Sequence, residues 1–174
     1  MEVIATHLPG VLRLRPRVFT DDRGWFAETW NQAAFQQAGL PSRFVQDNQS
    51  RSRQHVLRGL HFQLQHPQGK LVRAVAGRIF DVAVDVRRSS AHFGHWVGVE
   101  LNAEAPEMLW IPPVSMGRLD FARRVSGTFP DLCRARRTLE SFIPEAAPLY
   151  LAALIVAGRR AEIVCNLNAS SNLQ

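Results

Sequence analysis

The chain has 174 residues, of which 46% are hydrophobic and 21% charged, so its composition fits one folded domain and excludes a disordered chain or a coiled coil. Its net charge is +6 at pH 7, and Lys70 is the one lysine among its 21 basic residues. That charge fits an anionic partner (nucleic acid, a membrane surface or a phosphorylated small molecule), or arginines dispersed over a solvated surface, which we favour.

The cysteine content and the hydropathy pattern point to a protein outside the secretory and membrane classes. Cys133 and Cys165 are the two cysteines, too few for a disulfide framework. The N-terminal residues lack the basic-then-apolar pattern of a signal peptide, and the apolar run at 149–157 is too short to cross a bilayer. We therefore expect a cytoplasmic protein with reduced thiols and no membrane partner.

The N-terminal part of the chain shows first a strand pattern and then helix signals. Arg13, Arg15 and Arg17 alternate along residues 11–19, a period of two that is typical of a strand. Residues 31–38 are predicted to form a short helix, with Asn31 as the N-cap and Gly39 as the stop.

From residue 43 onward the pattern is that of β-strands. Segments rich in Val, Phe, Ile and Leu, separated by turn residues, predict strands at 43–50, 55–63, 70–76, 78–87 and 95–101. Several short strands with one minor helix predict a β-sandwich, jelly roll or barrel. Residues 114–174 are different, because their arginine-rich beginning has no sustained period and their fold is not predictable from the pattern. About 60 residues of weak pattern are a poor candidate for a second domain.

Two of the predicted strands carry alternating polar side chains. In 78–87, Asp81 and Asp85 lie opposite a Phe and Val face, which indicates either a water-facing surface or a polar barrel interior. We favour the water-facing surface, because antiparallel sheets commonly keep one face wet. In 43–50, Gln46, Asn48 and Ser50 share a face. Their spacing suits a planar base or sugar hydroxyls, although a solvated edge strand has the same pattern.

A histidine and the lone lysine are candidates for chemistry. His61 lies in an apolar strand, where it is either a hydrogen-bonded core histidine or a functional group. Strict alternation places Arg58 on the opposite face from His61, unless Gly59 marks a β-bulge that redirects it. Lys70 directly follows a turn and is either a surface lysine or a compact cation beside a developing oxyanion. No converging set of three or four metal ligands is apparent, so a metal-free site is predicted.

Seven motifs follow one another along the first two thirds of the chain. They are Asp22-Arg23-Gly24-x-Phe26-x-Glu28, Gln46-x-Asn48-x-Ser50, Val56-Leu57-Arg58-Gly59-Leu60-His61-Phe62-Gln63, Lys70-Leu71-Val72-Arg73, Asp81-Val82-Ala83-Val84-Asp85-Val86-Arg87, Phe93-Gly94-x-Trp96-Val97-Gly98-Val99 and Trp110-Ile111-Pro112-Pro113. In this order they closely resemble the dTDP-4-dehydrorhamnose 3,5-epimerase family over about residues 1–113. The resemblance implies an all-β, cupin-type jelly roll (a double-stranded β-helix) with a short N-terminal helix, as one domain over 1–174. It also implies a homodimer that works without metal or cofactor.

The resemblance also implies a reaction and a set of residues. The family epimerises C3 and C5 of dTDP-4-dehydro-6-deoxy-D-glucose to give dTDP-4-dehydro-L-rhamnose, in dTDP-L-rhamnose biosynthesis. His61 matches the base that removes protons next to the ketone, and Lys70 matches the cation beside the keto oxygen. Asp81 and Asp85 are candidates for orienting His61. The positions that match substrate contacts are Arg23, Glu28, Gln46, Asp47, Asn48 and Arg58.

After Pro113 the chain departs from the family pattern. Gly117 stands where the family has a second histidine, Pro130 stands where it has its acid tyrosine, and no Trp-x-Asp-Pro segment occurs. We therefore expect impaired activity, with solvent exchange of the substrate protons but poor inversion. A change of reading frame near codon 114 would explain the departure and would leave 114–174 poorly ordered. The alternatives are a catalytically inactive dTDP-sugar-binding or structural β-domain and a nucleic-acid-binding barrel, which we disfavour because aromatic stacking platforms are not evident.

Overall fold

A computed structural model describes residues 1–54, 56–61, 67–85, 87, 89–113, 126–128, 150–156 and 160–169. One short helix, α1, spans Gln32–Gln37. The strands are β1 Glu2–Ala5, β2 Leu12–Arg15, β3 Val18–Asp21, β4 Gly24–Ala27, β5 Gln46–Arg53, β6 Val56–His61, β7 Gln68–Ala76, β8 Arg78–Asp85, β9 Trp96–Asn102, β10 Met108–Ile111, β11 Ser126–Thr128, β12 Tyr150–Val156 and β13 Arg160–Ala169.

The strands form two antiparallel sheets and a separate hairpin. The larger sheet has the order β1-β2-β10-β7-β13-β5, the smaller has the order β11-β6-β12-β8-β9, and β3 pairs with β4. The two sheets pack face to face as a cupin-type jelly roll, which confirms the predicted fold class. The strands predicted at 70–76, 78–87 and 95–101 correspond closely to β7, β8 and β9.

The main core lies between the two sheets and follows from the period of two. Even-numbered residues of β7 and odd-numbered residues of β8 and β9 point into it. Its buried members are Leu8, Val11, Val72, Ala74, Ile79, Ala83, Val97, Val99, Leu101, Leu109 and Ile111. Because Lys70 precedes Val72 by two residues and Asp81 follows Ile79 by two, both polar residues belong to these inward-facing rows.

A smaller apolar cluster anchors α1 on the outer face of the larger sheet. Phe35 of the helix is buried there, and Phe44 makes edge-to-face ring contacts with Phe35 and with Trp110 at centroid distances of 6.2 and 6.4 Å. The predicted helix is confirmed: Asn31 Oδ1 accepts a hydrogen bond from the Ala34 amide, and Gly39 follows the helix with φ +68°. Phe44 packs on this outer cluster, which explains why the strand predicted at 43–50 begins only at Gln46.

The last third of the chain supplies β11 and β12 to the smaller sheet and β13 to the larger sheet. β13 pairs with β7 on one side and β5 on the other, and β12 pairs with β6 and β8. Both strands therefore occupy internal positions, where backbone groups are paired on each side. In the described part of the chain, no helix is long and apolar enough to span a membrane.

The N-cap gives a direct test of the helix. Replacing Asn31 by Ala removes the acceptor for the Ala34 amide and should lower the free energy of unfolding by about 1 kcal/mol. Asn31→Ser keeps a capping oxygen and should lose much less. Chemical denaturation of both variants measures the difference, and equal stability of Asn31→Ala and the unmodified chain would contradict the assigned cap.

Candidate active site

A polar cluster lies inside the otherwise apolar space between the sheets. It comprises Lys70 of β7, Asp81 of β8 and Cys165 of β13, which packs against the main core. Asp81 is 1% exposed, and its Oδ2 has no hydrogen-bond partner among the described residues. A buried polar atom without a partner is rare in folded proteins, so this space is suited to a polar ligand.

The interpretation of Asp81 and Asp85 as a water-facing surface is wrong. Both residues are buried, at 1% and 0% exposure. The reason is that β8 is an internal strand between β12 and β9, and its odd-numbered face is covered by the larger sheet. The alternative of a polar interior is the one the structure supports.

Burial sets the proton affinities of this cluster. It raises the pKa of Asp81 to about 7, although the charge of Lys70 and the Val82 amide act in the opposite direction. It also lowers the pKa of Lys70, with Cys165 and Asp81 opposing that shift. The pKa of the Cys165 thiol rises to about 11, mainly through burial, so this thiol stays protonated at neutral pH.

A β-bulge in β6 brings Arg58 and His61 into matching rows. His61 pairs with Ala152 and Arg58 pairs with Leu154, so three residues of β6 span two residues of β12. Of the two alternatives left open by the sequence, this register shift between Arg58 and His61 agrees with an irregularity near Gly59 and not with strict alternation. The side chain of Arg58 is held by Ser52, whose Oγ accepts a hydrogen bond from Nε at 2.8 Å.

The backbone of His61 lies in the same row as Ala83, with Ala152 between them. Two strand spacings, roughly 10 Å, separate β6 from β8. Asp81 and Asp85 lie two residues on either side of Ala83 and flank that row. The side chain of His61 is outside the part of the chain that the structure describes, so its orientation by a carboxylate stays a prediction.

Both carboxylate oxygens of Asp85 already accept hydrogen bonds from residues that follow β8. Its carboxylate accepts hydrogen bonds from the Arg87 amide at 2.9 Å, from Arg87 Nη2 at 2.6 Å and from Ser90 Oγ at 2.7 Å. Although burial alone would raise the pKa of Asp85, the hydrogen bonds from Arg87 and Ser90 lower it below its ordinary value. Asp85 therefore fixes the turn that follows β8, and Asp81 is the better placed of the two to act on a neighbour.

The amide side chains of Gln46 and Asn48 are exposed on β5, the edge strand of the larger sheet next to β13. Gln46, Asn48 and Ser50 pair with Leu167, Cys165 and Ile163 of β13, so they share a face as predicted. Gln46 Nε2 donates a hydrogen bond to Asn48 Oδ1 at 3.0 Å.

Asp47 lies on the other face of β5, by alternation. It lines an open cleft of about 630 Å³ beside α1, together with residues that include Arg43, Arg73 and Asn166. Gln46 lines the same cleft, so Asp47 and Gln46 border it together.

Arg23 and Glu28 do not join the polar cluster within the described chain. Arg23 is at the tip of the β3–β4 hairpin, where its Nη2 lies 2.5 Å from Asp21 Oδ2 and its side chain is 89% exposed. Glu28 accepts a hydrogen bond from Asn31 Nδ2 at 3.2 Å, just before α1. The hairpin pairs with neither main sheet.

Two of the three arginines that alternate near the N-terminus are paired with glutamates. Arg13 donates two hydrogen bonds to Glu107, and Arg15 forms ion pairs with Glu2 and Glu107. Arg17 stacks over the Phe19 ring, 4.7 Å from its centroid. Among the described residues there is no group of three or more His, Cys, Asp or Glu side chains that would hold a metal ion.

Comparison with known proteins decides the family. The family model described as dTDP-4-dehydrorhamnose 3,5-epimerase matches residues 5–117. The chain belongs to the dTDP-4-dehydrorhamnose 3,5-epimerase family. The curated epimerases of Shigella flexneri and Pseudomonas aeruginosa are 57% and 56% identical to it over 114 and 113 residues. Each match covers 64% of this chain, and it covers 63% and 62% of those epimerases.

The chain therefore spans about three fifths of the length of the curated epimerases that it matches. The likeness to solved structures of the family extends further. The Legionella pneumophila epimerase, solved in complex with dTDP-4-keto-L-rhamnose, has a TM-score of 0.73 and 31% identity, covering 98% of this chain and 73% of its own. The Elizabethkingia anophelis epimerase has a TM-score of 0.71 and 30% identity, with 99% and 76% covered. The family model does not match residues 118–174.

Two residues of the site were not predicted from the sequence. Ser52 holds Arg58, and the signal for it was the continuation of the Gln46-Asn48-Ser50 alternation by one step. Cys165 lies beside Lys70 only because β13 pairs with β7, a contact between distant parts of the chain. Its position in an apolar segment was the one local signal.

The raised pKa of Asp81 predicts a specific pH dependence of stability. Because the folded-state pKa of about 7 lies above the ordinary 3.8, the folded protein binds this proton more tightly, and stability from this group falls as pH rises from about 4 to about 7. The loss should be roughly 2–4 kcal/mol. Asp81→Asn should remove that loss, as measured by denaturant unfolding at pH 4, 5.5 and 7. Parallel pH profiles for the two proteins would contradict the buried, ionisable Asp81.

Proposed function

We propose that this chain epimerises C3 and C5 of dTDP-4-dehydro-6-deoxy-D-glucose to give dTDP-4-dehydro-L-rhamnose, in dTDP-L-rhamnose biosynthesis. The observation that carries the proposal is the inward-facing Lys70, placed with Asp81 in the space between the sheets while β6 brings the backbone of His61 to the facing sheet. The family-model match over residues 5–117, a range that contains His61, Lys70 and Asp81, and the identity of 57% to an epimerase over 114 residues support it.

The proposed chemistry begins with the acidity of hydrogens next to a ketone. The imidazole of His61 removes such a proton, since an ordinary histidine titrates near working pH. The electron pair moves toward the ketone oxygen and forms an enolate. Lys70 stabilises that oxygen, because a compact ammonium in a buried site interacts strongly with a developing negative charge. We assign Asp81 to the orientation of this pair of groups, since the oxygens of Asp85 are already occupied.

Binding of the nucleotide is assigned to the open rim of the same space. Arg58, fixed by Ser52, provides guanidinium donors for the diphosphate, a geometry that arginine favours. Gln46 and Asn48 present amide groups to the base or the sugar. Asp47 is proposed as a further contact of the same strand. No cofactor and no nucleic acid is part of the proposal.

We propose a homodimer, because the β3–β4 hairpin is exposed in a single chain. Phe19, Trp25 and Phe26 on this hairpin are 50%, 49% and 67% exposed, an unusual concentration of bare aromatic surface. A second copy that covers them would also receive Arg23 and Glu28, which in one chain stand apart from the polar cluster. A cytoplasmic location is proposed as well, as expected from the sequence.

The last third is proposed to belong to one domain with the rest, because β12 and β13 are internal strands of the two sheets. The family match nevertheless stops at residue 117. The end of the match at this point supports the proposed change of reading frame near codon 114. Sequencing of the locus tests it: if no reading frame encodes the family's His and Tyr, the proposal is wrong. Because the family match ends before the position of the family's acid, a dTDP-sugar-binding domain without activity is the second candidate function.

Solvent exchange separates the two candidate functions. With the 4-keto sugar nucleotide in D2O, we expect deuterium at C3 and C5, and His61→Asn should slow its entry by about 10²–10⁴-fold. NMR and mass spectrometry follow the label. Binding of dTDP without any label from the unmodified chain would favour the inactive binding domain.

The geometry of the lysine provides a second test. Lys70→Arg keeps the charge, but a planar guanidinium does not reproduce a compact ammonium, so the exchange rate should fall at least about tenfold. Arg78→Lys is the matched control, because Arg78 is an exposed cation of β8 with a weak ion pair to Glu100 at 3.9 Å. Undiminished exchange in Lys70→Arg would remove Lys70 from the chemistry.

A further inference from the structure

We infer that the thiol of Cys165 donates the proton to the face of the sugar opposite to His61, so that this thiol is the acid of the inversion. The inference rests on the proposed function and adds a residue to it. Inversion at a carbon requires that a proton leave from one side and return on the other. The donor must therefore lie on the wall that faces β6.

The topology puts Cys165 on that wall. β6 belongs to the smaller sheet, whereas β13 is an internal strand of the larger sheet. Cys165 pairs with Val72 of β7 and Asn48 of β5, and the next inward row of β13 pairs Leu167 with Lys70. Cys165 and Lys70 are thus diagonal neighbours on adjacent strands, within about 7–8 Å between backbones.

A second observation shows that the space in front of Cys165 is made for a polar ligand. Asp81 faces it from the smaller sheet, is 1% exposed and has an Oδ2 without a partner among the described residues. Cys165 and Lys70 lie on the inward rows of β13 and β7, Asp81 lies on that of β8, and the three groups affect one another's pKa. A space of this kind between apolar sheets is costly unless something polar fills it.

The described side chains on this wall leave few proton donors. On the inward faces of β5, β7 and β13, the titratable groups among the described side chains are Lys70 and Cys165. Lys70 is assigned to the ketone oxygen, where its charge must remain while the enolate exists. Cys165 is then the group available to deliver a proton to carbon.

The proton transfer balances without a further reactant. The S–H bond of Cys165 breaks and a C–H bond forms at the enolate carbon, while the enolate electron pair makes that bond and the ketone is restored. The product is a thiolate beside the Lys70 ammonium, which offsets its charge, and solvent returns the proton. A thiol protonated at neutral pH is suited to this step, because a carbon next to a ketone is a much weaker acid than a thiol.

The test measures label entry and inversion in one experiment. In D2O, NMR of the 4-keto sugar nucleotide gives the rate of exchange at C3 and C5 and the rate at which the L-configured product accumulates. We expect inversion in the unmodified chain, slower than exchange. Cys165→Ser and Cys165→Ala should lower inversion at least about 100-fold and leave exchange within a few-fold. Cys133→Ser, which removes the other thiol, should change neither rate.

The outcomes separate this inference from the proposed function. Retained exchange in the Cys165 variants also shows that they are folded, since exchange needs an assembled site. Inversion at the original rate in Cys165→Ser, or exchange without any inversion in the unmodified chain, would overturn the role of Cys165 and leave proton abstraction by His61 in place. Absence of exchange in the unmodified chain would overturn both.

Discussion

The burial of Asp81 and the partial burial of Lys70 between two apolar sheets are the constraint on which the rest of the site depends. Taking a cation and a carboxyl out of water is costly unless they compensate each other, and here the same burial moves the pKa of Asp81 up and that of Lys70 down. The low dielectric that makes this arrangement expensive also makes the charge of Lys70 effective on a nearby oxygen. The burial of these two groups thus lowers the stability of the fold and strengthens the electrostatic interaction of Lys70 with a bound oxygen.

The two sheets give this place its two walls. β6 and β8 carry His61 and Asp81 on one side, while β7, β13 and β5 carry Lys70, Cys165 and Asn48 on the other. A register shift in β6 between Arg58 and His61 interrupts the alternation of the strand, so that these two residues pair with Leu154 and Ala152 on the same face of β12. Inversion of a carbon centre demands a base and an acid on opposite sides, and the two facing sheets of a jelly roll provide opposite walls for the proposed pair His61 and Cys165.

Much of the fold was predictable because most strands obey a clear local rule. The helix, its Asn31 cap and strands β7 to β9 follow from alternation and turn chemistry. The candidate roles of His61 and Lys70 follow from the resemblance to the family and stay predictions. Two features escaped. The burial of Asp81 depends on the neighbours of β8, and the position of Cys165 depends on pairing between β13 and strands about 100 residues away along the chain. β12 is a continuous apolar run, whose type cannot be read from periodicity alone.

The ionisation of Asp81 in the folded protein tests this account most directly. Carbon NMR of the Asp81 carboxyl across pH should give a midpoint near 7 in the unmodified chain. In Lys70→Met the midpoint should rise further, because the opposing cation is gone while the burial remains. A midpoint near 3.8 that Lys70→Met leaves unchanged would show that Asp81 and Lys70 do not share a buried site, and the assignment of the inter-sheet space as the active site would fail.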